Sequence, residues 1–120
     1  MANKIWTYRE ASIALPKIIL ITEQTYKDYI EFNHDLKHRI WPENVQEEKE
    51  ELIQILLADW EKSVEEIGAE VKGLWLVDFD NGKGYFCWKL GEDTLLFEHG
   101  YNEGFSGRKP ISRKIGDSGT

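Results

Sequence analysis

The chain has 120 residues, a net charge of −7 and 41% hydrophobic residues. That length suits one domain with a packed core, and the acidic balance argues against a nucleic-acid surface, which needs a basic face. The one cysteine, Cys87, excludes an internal disulfide and fits a reducing, cytoplasmic setting. At the start, MANKIWTYRE carries charges where a signal peptide needs an apolar stretch. The apolar run Ile13 to Ile21 is interrupted by Pro16 and Lys17 and is too short to span a bilayer, so no membrane association is expected.

Thr7 and Glu10 have the spacing of a capping box, which starts a helix at Tyr8. Leu15, Ile19, Thr22, Tyr26, Tyr29, Phe32, Leu36 and Ile40 then recur at steps of three or four, one face of a helix. Carried to Arg39 that helix is about 48 Å long at 1.5 Å per residue. Pro16 lies inside it and predicts a kink. Trp41-Pro42 breaks the pattern, and Asn44 with Glu47 offers a second capping box. The next helix sets Ile53, Leu56, Leu57, Trp60, Val64 and Ile67 on one side and a solvated Glu-Lys face on the other. Gly68 sits where a left-handed cap ends it. A short connection between two long helices makes them an antiparallel hairpin.

After Gly73 the period falls to two, and LWLVDF, YFCWKL and TLLFEH read as strands. The expected fold is therefore α+β: a long antiparallel helical hairpin followed by a three-stranded antiparallel meander. One domain is expected over residues 1–111 and a flexible tail over 112–120. Turns at Asn81-Gly82 and Glu92-Asp93 set the pairing. They place Trp75, Val77, Phe79, Phe86, Trp88, Leu90, Leu95 and Phe97 on one face, which ends at His99. Leu74, Leu76, Asp78, Tyr85, Cys87, Lys89, Leu96 and Glu98 fall on the other. In this register Cys87 neighbours Glu98 and stands away from His99, which argues against a Cys–His nucleophile. A nearby carboxylate also suppresses the thiolate.

Candidate chemistry is sparse. His34 and His38 stand one helical turn apart, a spacing that can chelate one metal ion, although two exposed histidines near a helix C-terminus explain it better. The glycine-rich segment GYNEGFSGRKP can cradle a small anion, with Arg108 as its fork and Glu92, Glu98 or His99 orienting or protonating the ligand. The competing reading has Arg108 locking the loop against Glu92, Glu98 or Glu103, with Phe105 plugged into the core.

WLVDF (Trp75 to Phe79), CWKLGE (Cys87 to Glu92) and FEHGYNEGFSGRKPI (Phe97 to Ile111), with WTYREASIALP at the start, resemble a bacterial family named domain of unknown function 2203. The positions of its pattern matched here are Asp78, Cys87, Trp88, Gly91, Glu92, His99, Gly104, Gly107, Arg108 and Pro110. The resemblance implies that these residues matter and implies no reaction. Three functions are weighed. The first is a non-enzymatic module that self-associates as a homodimer through Tyr26, Tyr29, Phe32 and the aromatic sheet. The second is a small anionic-ligand site, binding or enzymatic, at the glycine-arginine loop. The third is metal binding through His34 and His38. The first is preferred.

Overall fold

The computed structural model describes residues 4–112, so the expected tail beyond Ser112 lies outside the described residues. Two helices come first, α1 (Tyr8–His38) and α2 (Glu43–Ile67). Five strands follow: β1 (Glu70–Gly73), β2 (Leu76–Asp80), β3 (Gly84–Lys89), β4 (Phe97–Gly100) and β5 (Lys109–Pro110). The strands form one antiparallel sheet in chain order. Among the described residues no helix is long and apolar enough to cross a membrane.

The α1 capping box forms as its spacing predicts: the Glu10 amide donates to Thr7 Oγ1 at 3.0 Å, and the Thr7 amide donates to Glu10 Oε1 at 3.0 Å. The second capping box does not form. The N-cap of α2 is Pro42, with no side-chain bond, and Asn44 lies inside the helix. Pro42, at φ −54°, needs no amide of its own, and its carbonyl accepts from the amides of Val45 and Gln46. Gly68 ends α2 in the left-handed region, at φ 110°.

Ala11, Leu15, Ile18 and Thr22 of α1 and Trp60 and Val64 of α2 pack with Val77, Phe79, Phe86, Trp88 and Leu95 of the sheet region. The Trp60 indole donates to Thr22 Oγ1 at 2.8 Å inside this core. Beyond it the hairpin continues as an arm: no residue from 23 to 52 is buried, and the molecule measures 58 × 27 × 26 Å.

Five strands replace the expected three. The segment Glu70-Val71-Lys72 alternates charge with one aliphatic residue, a pattern suited to a short edge strand but too polar to stand out beside LWLVDF. The chain then reverses through Trp75 at φ 64°. Trp75 therefore sits in a turn, not opposite Trp88, and meets Tyr26 and Tyr29 edge to face and Trp60 at a tilt. The hairpin at Asn81-Gly82 forms with a longer loop, in which Asn81 Oδ1 accepts from the amides of Lys83 and Gly84. It pairs Val77 with Trp88 and Phe79 with Phe86. This register differs from the expected one by two residues, so each side chain keeps its face.

The second hairpin differs by one residue, and that changes everything on β4. Phe97 pairs with Cys87, Glu98 with Phe86 and His99 with Tyr85. The chain reverses earlier than Glu92-Asp93. The Glu92 amide donates to the Lys89 carbonyl, Gly91 takes φ 106°, and the Trp88 indole donates to the Glu92 carbonyl at 2.7 Å. Leu95 stays in the core, where its carbonyl accepts from the Tyr8 hydroxyl at 3.0 Å. Leu95 and Phe97 then face opposite ways, so period two fails across Leu96. The expected parity of β4 is overturned: Phe97 and His99 share the face of Cys87, and Glu98 does not.

Candidate functional site

The sheet face turned away from the helices carries Asp78 on β2, Cys87 on β3 and His99 on β4. Asp78 and Cys87 are direct cross-strand partners. His99 lies diagonally beyond Cys87, brought there by the one-residue shift of β4. All three are buried, and the ligand atoms they offer lie within 4.8 Å of one another. His99 Nε2 meets Asp78 Oδ2 at 2.8 Å, and His99 Nδ1 meets the Gly100 carbonyl at 3.0 Å. A carbonyl only accepts, so Nδ1 carries a hydrogen. The Nε2–Oδ2 contact then holds one further proton, on the imidazole or on the carboxyl. Asp78 Oδ1 is buried and makes no hydrogen bond among the described residues.

Burial pushes the Asp78 carboxyl above its ordinary range, and the adjacent thiol and imidazole offset only part of this. Burial, then the Asp78 carboxylate, pushes the Cys87 thiol up to about 12. Such a thiol is not a nucleophile near neutral pH. Both nitrogens of His99 are engaged, and neither contacts the sulfur through a hydrogen bond. The three residues are together, yet they are not arranged as a Cys–His nucleophilic pair.

Arg108 flanks this cluster. Its Nη2 donates to Glu92 Oε1 at 2.6 Å and to the Cys87 carbonyl at 3.1 Å. The guanidinium lies 4.2 Å from the Phe97 ring centroid and 4.9 Å from that of Phe105. Glu92 Oε1 also accepts from the Lys89 amide at 2.9 Å, so one carboxylate ties the β3 turn to the C-terminal loop. Glu92→Gln keeps the shape and removes the charge from a pair only 10% and 16% exposed. It is expected to cost about 1.5–3 kcal/mol, read by urea unfolding.

A cleft of about 420 Å³ opens over the cluster. Asp78 and His99 line it, with Lys72, Leu76, Tyr85, Tyr101 and Phe105 among its walls. Phe105 is 46% exposed there and is not a core plug. The Tyr101 hydroxyl donates to Asp80 Oδ1 at 2.6 Å, and that bond is the main cause pushing the phenol up to about 12. Lys72 bridges to Glu70 at 2.9 Å and reaches the Tyr85 hydroxyl at 3.3 Å.

The other anticipated residues lie elsewhere. Glu98 pairs in register with Lys109 and lines a smaller cavity of about 160 Å³ with Asn81, Lys83 and Gly84. His34 and His38 are on the arm, stacked at 4.1 Å and 14°. Lone pairs of parallel rings do not converge on one point, so chelation there needs a ring to rotate. Residue type and spacing alone give Asp78, Cys87, Lys72 and Tyr85 no site role. The available signal was Asp78 itself, a carboxylate in the middle of an apolar strand and on the Cys87 face.

Among curated proteins, and among solved structures, no match was found. A family model described as "Uncharacterized conserved protein (DUF2203)" matches residues 4–111. The match covers most of the chain, with every residue of the buried cluster inside it, and the chain belongs to that family of domain of unknown function 2203.

Proposed function

We propose that the protein binds a small molecule in the cleft over β2, β3 and β4, with the polar head of the ligand meeting His99, which Asp78 backs from below. The observation that carries this reading is a cleft of about 420 Å³ whose floor is a buried carboxylate–imidazole pair. Its size falls in the range of small-ligand sites, and such sites combine apolar walls with few polar groups. Tyr85, Tyr101 and Phe105 offer ring faces and edges to a planar body, and Asn102 adds an amide at the rim. Arg108, the expected anion fork, does not line this cleft, and its Nη2 is engaged by Glu92 and by the Cys87 carbonyl. In this reading Arg108 and Glu92 brace the floor from behind, Glu98 has no part, and His99 makes the contact. The single thiol and the acidic surface suit a reducing cytoplasm.

Ligand-observed NMR with a set of one-ring fragments bearing carboxylate, amide or hydroxyl heads tests the reading, run in the presence of a chelator. Fragments are expected to bind the wild type and to lose binding in Leu76→Trp, which fills the cleft. Equal binding to both proteins, or to neither, overturns it.

A second reading rests on a different observation. The arm leaves Tyr26, Ile30 and Phe32 39–45% exposed, and no residue from 23 to 52 is buried. A second copy packed on the arm would give these side chains the layer they lack, making the protein a homodimer. Light scattering at high micromolar concentration decides it: a dimer is expected, and a clean monomer rejects it.

A further inference from the structure

We infer that Asp78, Cys87 and His99 form a binding site for one divalent transition-metal ion of the zinc class, with a free coordination position facing the cleft. The three donors come from three adjacent strands, so the sheet holds them in place without help from a loop. Bonds of about 2.0–2.3 Å set zinc ligand atoms roughly 3.3–3.6 Å apart. The donor atoms here already lie within 4.8 Å of one another, and His99 Nε2 and Asp78 Oδ2 at 2.8 Å need only to part slightly.

Two further features point to an ion. His99 is oriented as a ligating histidine is: Nδ1 donates to a backbone carbonyl, which fixes the tautomer and turns Nε2 inward. Asp78 is fully buried, yet Oδ1 has no hydrogen-bond partner among the described residues. Leaving a buried carboxylate oxygen unsatisfied is costly, and a cation bound by both carboxylate oxygens satisfies it.

The charges also balance. The ion takes the place of the proton between Asp78 and His99 and of the thiol proton, so two protons leave as one divalent cation enters. Ionised Asp78, ionised Cys87 and neutral His99 then make a neutral centre with the ion, which removes the cost of isolated buried charge. Arg108 and Glu92, themselves paired, add no net charge behind it. A thiolate with an imidazole and one carboxylate selects zinc-like ions over magnesium or calcium, which prefer oxygen ligands. Asp78 and His99 both line the cleft, so a fourth position on the ion opens towards it. A site with three protein ligands and one open position has the form of a catalytic zinc site.

The inference shares the Asp78–His99 floor with the proposed cleft but needs no organic ligand. The fragment experiment runs in chelator and the metal experiment runs without fragments, so either can fail alone. The probe is cobalt(II), added alone to the reduced, chelator-stripped protein. One ion per chain is expected, with a thiolate-to-cobalt charge-transfer band in the near ultraviolet that zinc abolishes. Because Cys87 is the one cysteine of the chain, that band in the wild type reports this sulfur even where a Cys87→Ser variant does not fold. In a folded Cys87→Ser protein the band is expected to vanish and cobalt affinity to fall by roughly a hundredfold or more, beyond the loss on removing an outer-shell partner. The double variant His34→Gln/His38→Gln is expected to bind as the wild type does. Substoichiometric binding, a bound spectrum without the thiolate band, or loss of binding in the His34/His38 variant overturns the inference.

Discussion

His99→Leu is expected to lower stability by about 3–5 kcal/mol at neutral pH in chelator, because it strips a buried carboxylate of its partner. Asp78 is fully buried, and its carboxylate leans on the His99 imidazole, at 2.8 Å, and on the Cys87 thiol. The loss has a pH signature. Burial raises the Asp78 carboxyl in the fold, and unfolding returns it to about 3.9. In His99→Leu the folded state therefore holds a proton that the unfolded state releases, so the variant's stability falls as pH rises from about 4. Its defect accordingly shrinks as pH approaches 4. The double change Asp78→Leu/His99→Leu removes the stranded charge and is expected to recover most of the loss. Urea unfolding of the three proteins between pH 4 and pH 7 measures this. Additive losses at every pH would show that Asp78 and His99 are not coupled.

Gly84→Ala is expected to cost about 3 kcal/mol, the upper end of overpacking costs. A Cβ there would stand against the backbone carbonyl oxygen of His99, well inside contact distance, and 3.1 Å from the Gly100 Cα. Those are backbone atoms of the paired strand β4, so relief means separating β3 from β4 beside His99. Gly104→Ala is the control: nothing lies within 4 Å of its added Cβ, and its φ of −94° suits alanine. The control is expected to change stability by less than about 0.5 kcal/mol, as surface substitutions usually do. Equal unfolding midpoints for the two variants would place Gly84 away from Gly100 and reject the β3–β4 pairing.

Both predictions depend on the part of the chain that its pattern misrepresents. The helices were legible because their signals are local. Thr7 and Glu10 cap each other across three residues, and Gly68 takes the left-handed conformation that no other residue adopts cheaply. The face carrying Val77, Phe79, Phe86 and Trp88 was legible because an error of two residues in a hairpin leaves parity intact. The face of β4 was not. TLLFEH reads as one alternating strand, but Leu95 is held in the core by burial and by Tyr8, and Phe97 is held on the far face beside Arg108. No local rule marks the irregular step between them, since tertiary contacts far apart in sequence impose it.

The site inherits that division. Glu92 as a partner of Arg108 was one of three carboxylates the sequence offered. The Asp78–Cys87–His99 cluster required the β4 register, and the wrong register separates His99 from the other two. The preference for a non-catalytic scaffold rested on that separation, and it no longer has that support. The aromatic cleft was half legible: a ligand site was expected at the glycine-rich segment GYNEGFSGRKP, whereas the contribution of Lys72 required knowing that Glu70–Gly73 is a strand.

Cross-strand NOEs in an isotope-labelled sample interrogate the pivotal point without any substitution. The β3–β4 register requires contacts pairing Tyr85 with His99, Phe86 with Glu98 and Cys87 with Phe97. Contacts pairing Phe86 with His99 and Cys87 with Glu98 would instead turn the imidazole towards the helices, dissolve the buried cluster and contradict both the cleft and the metal site.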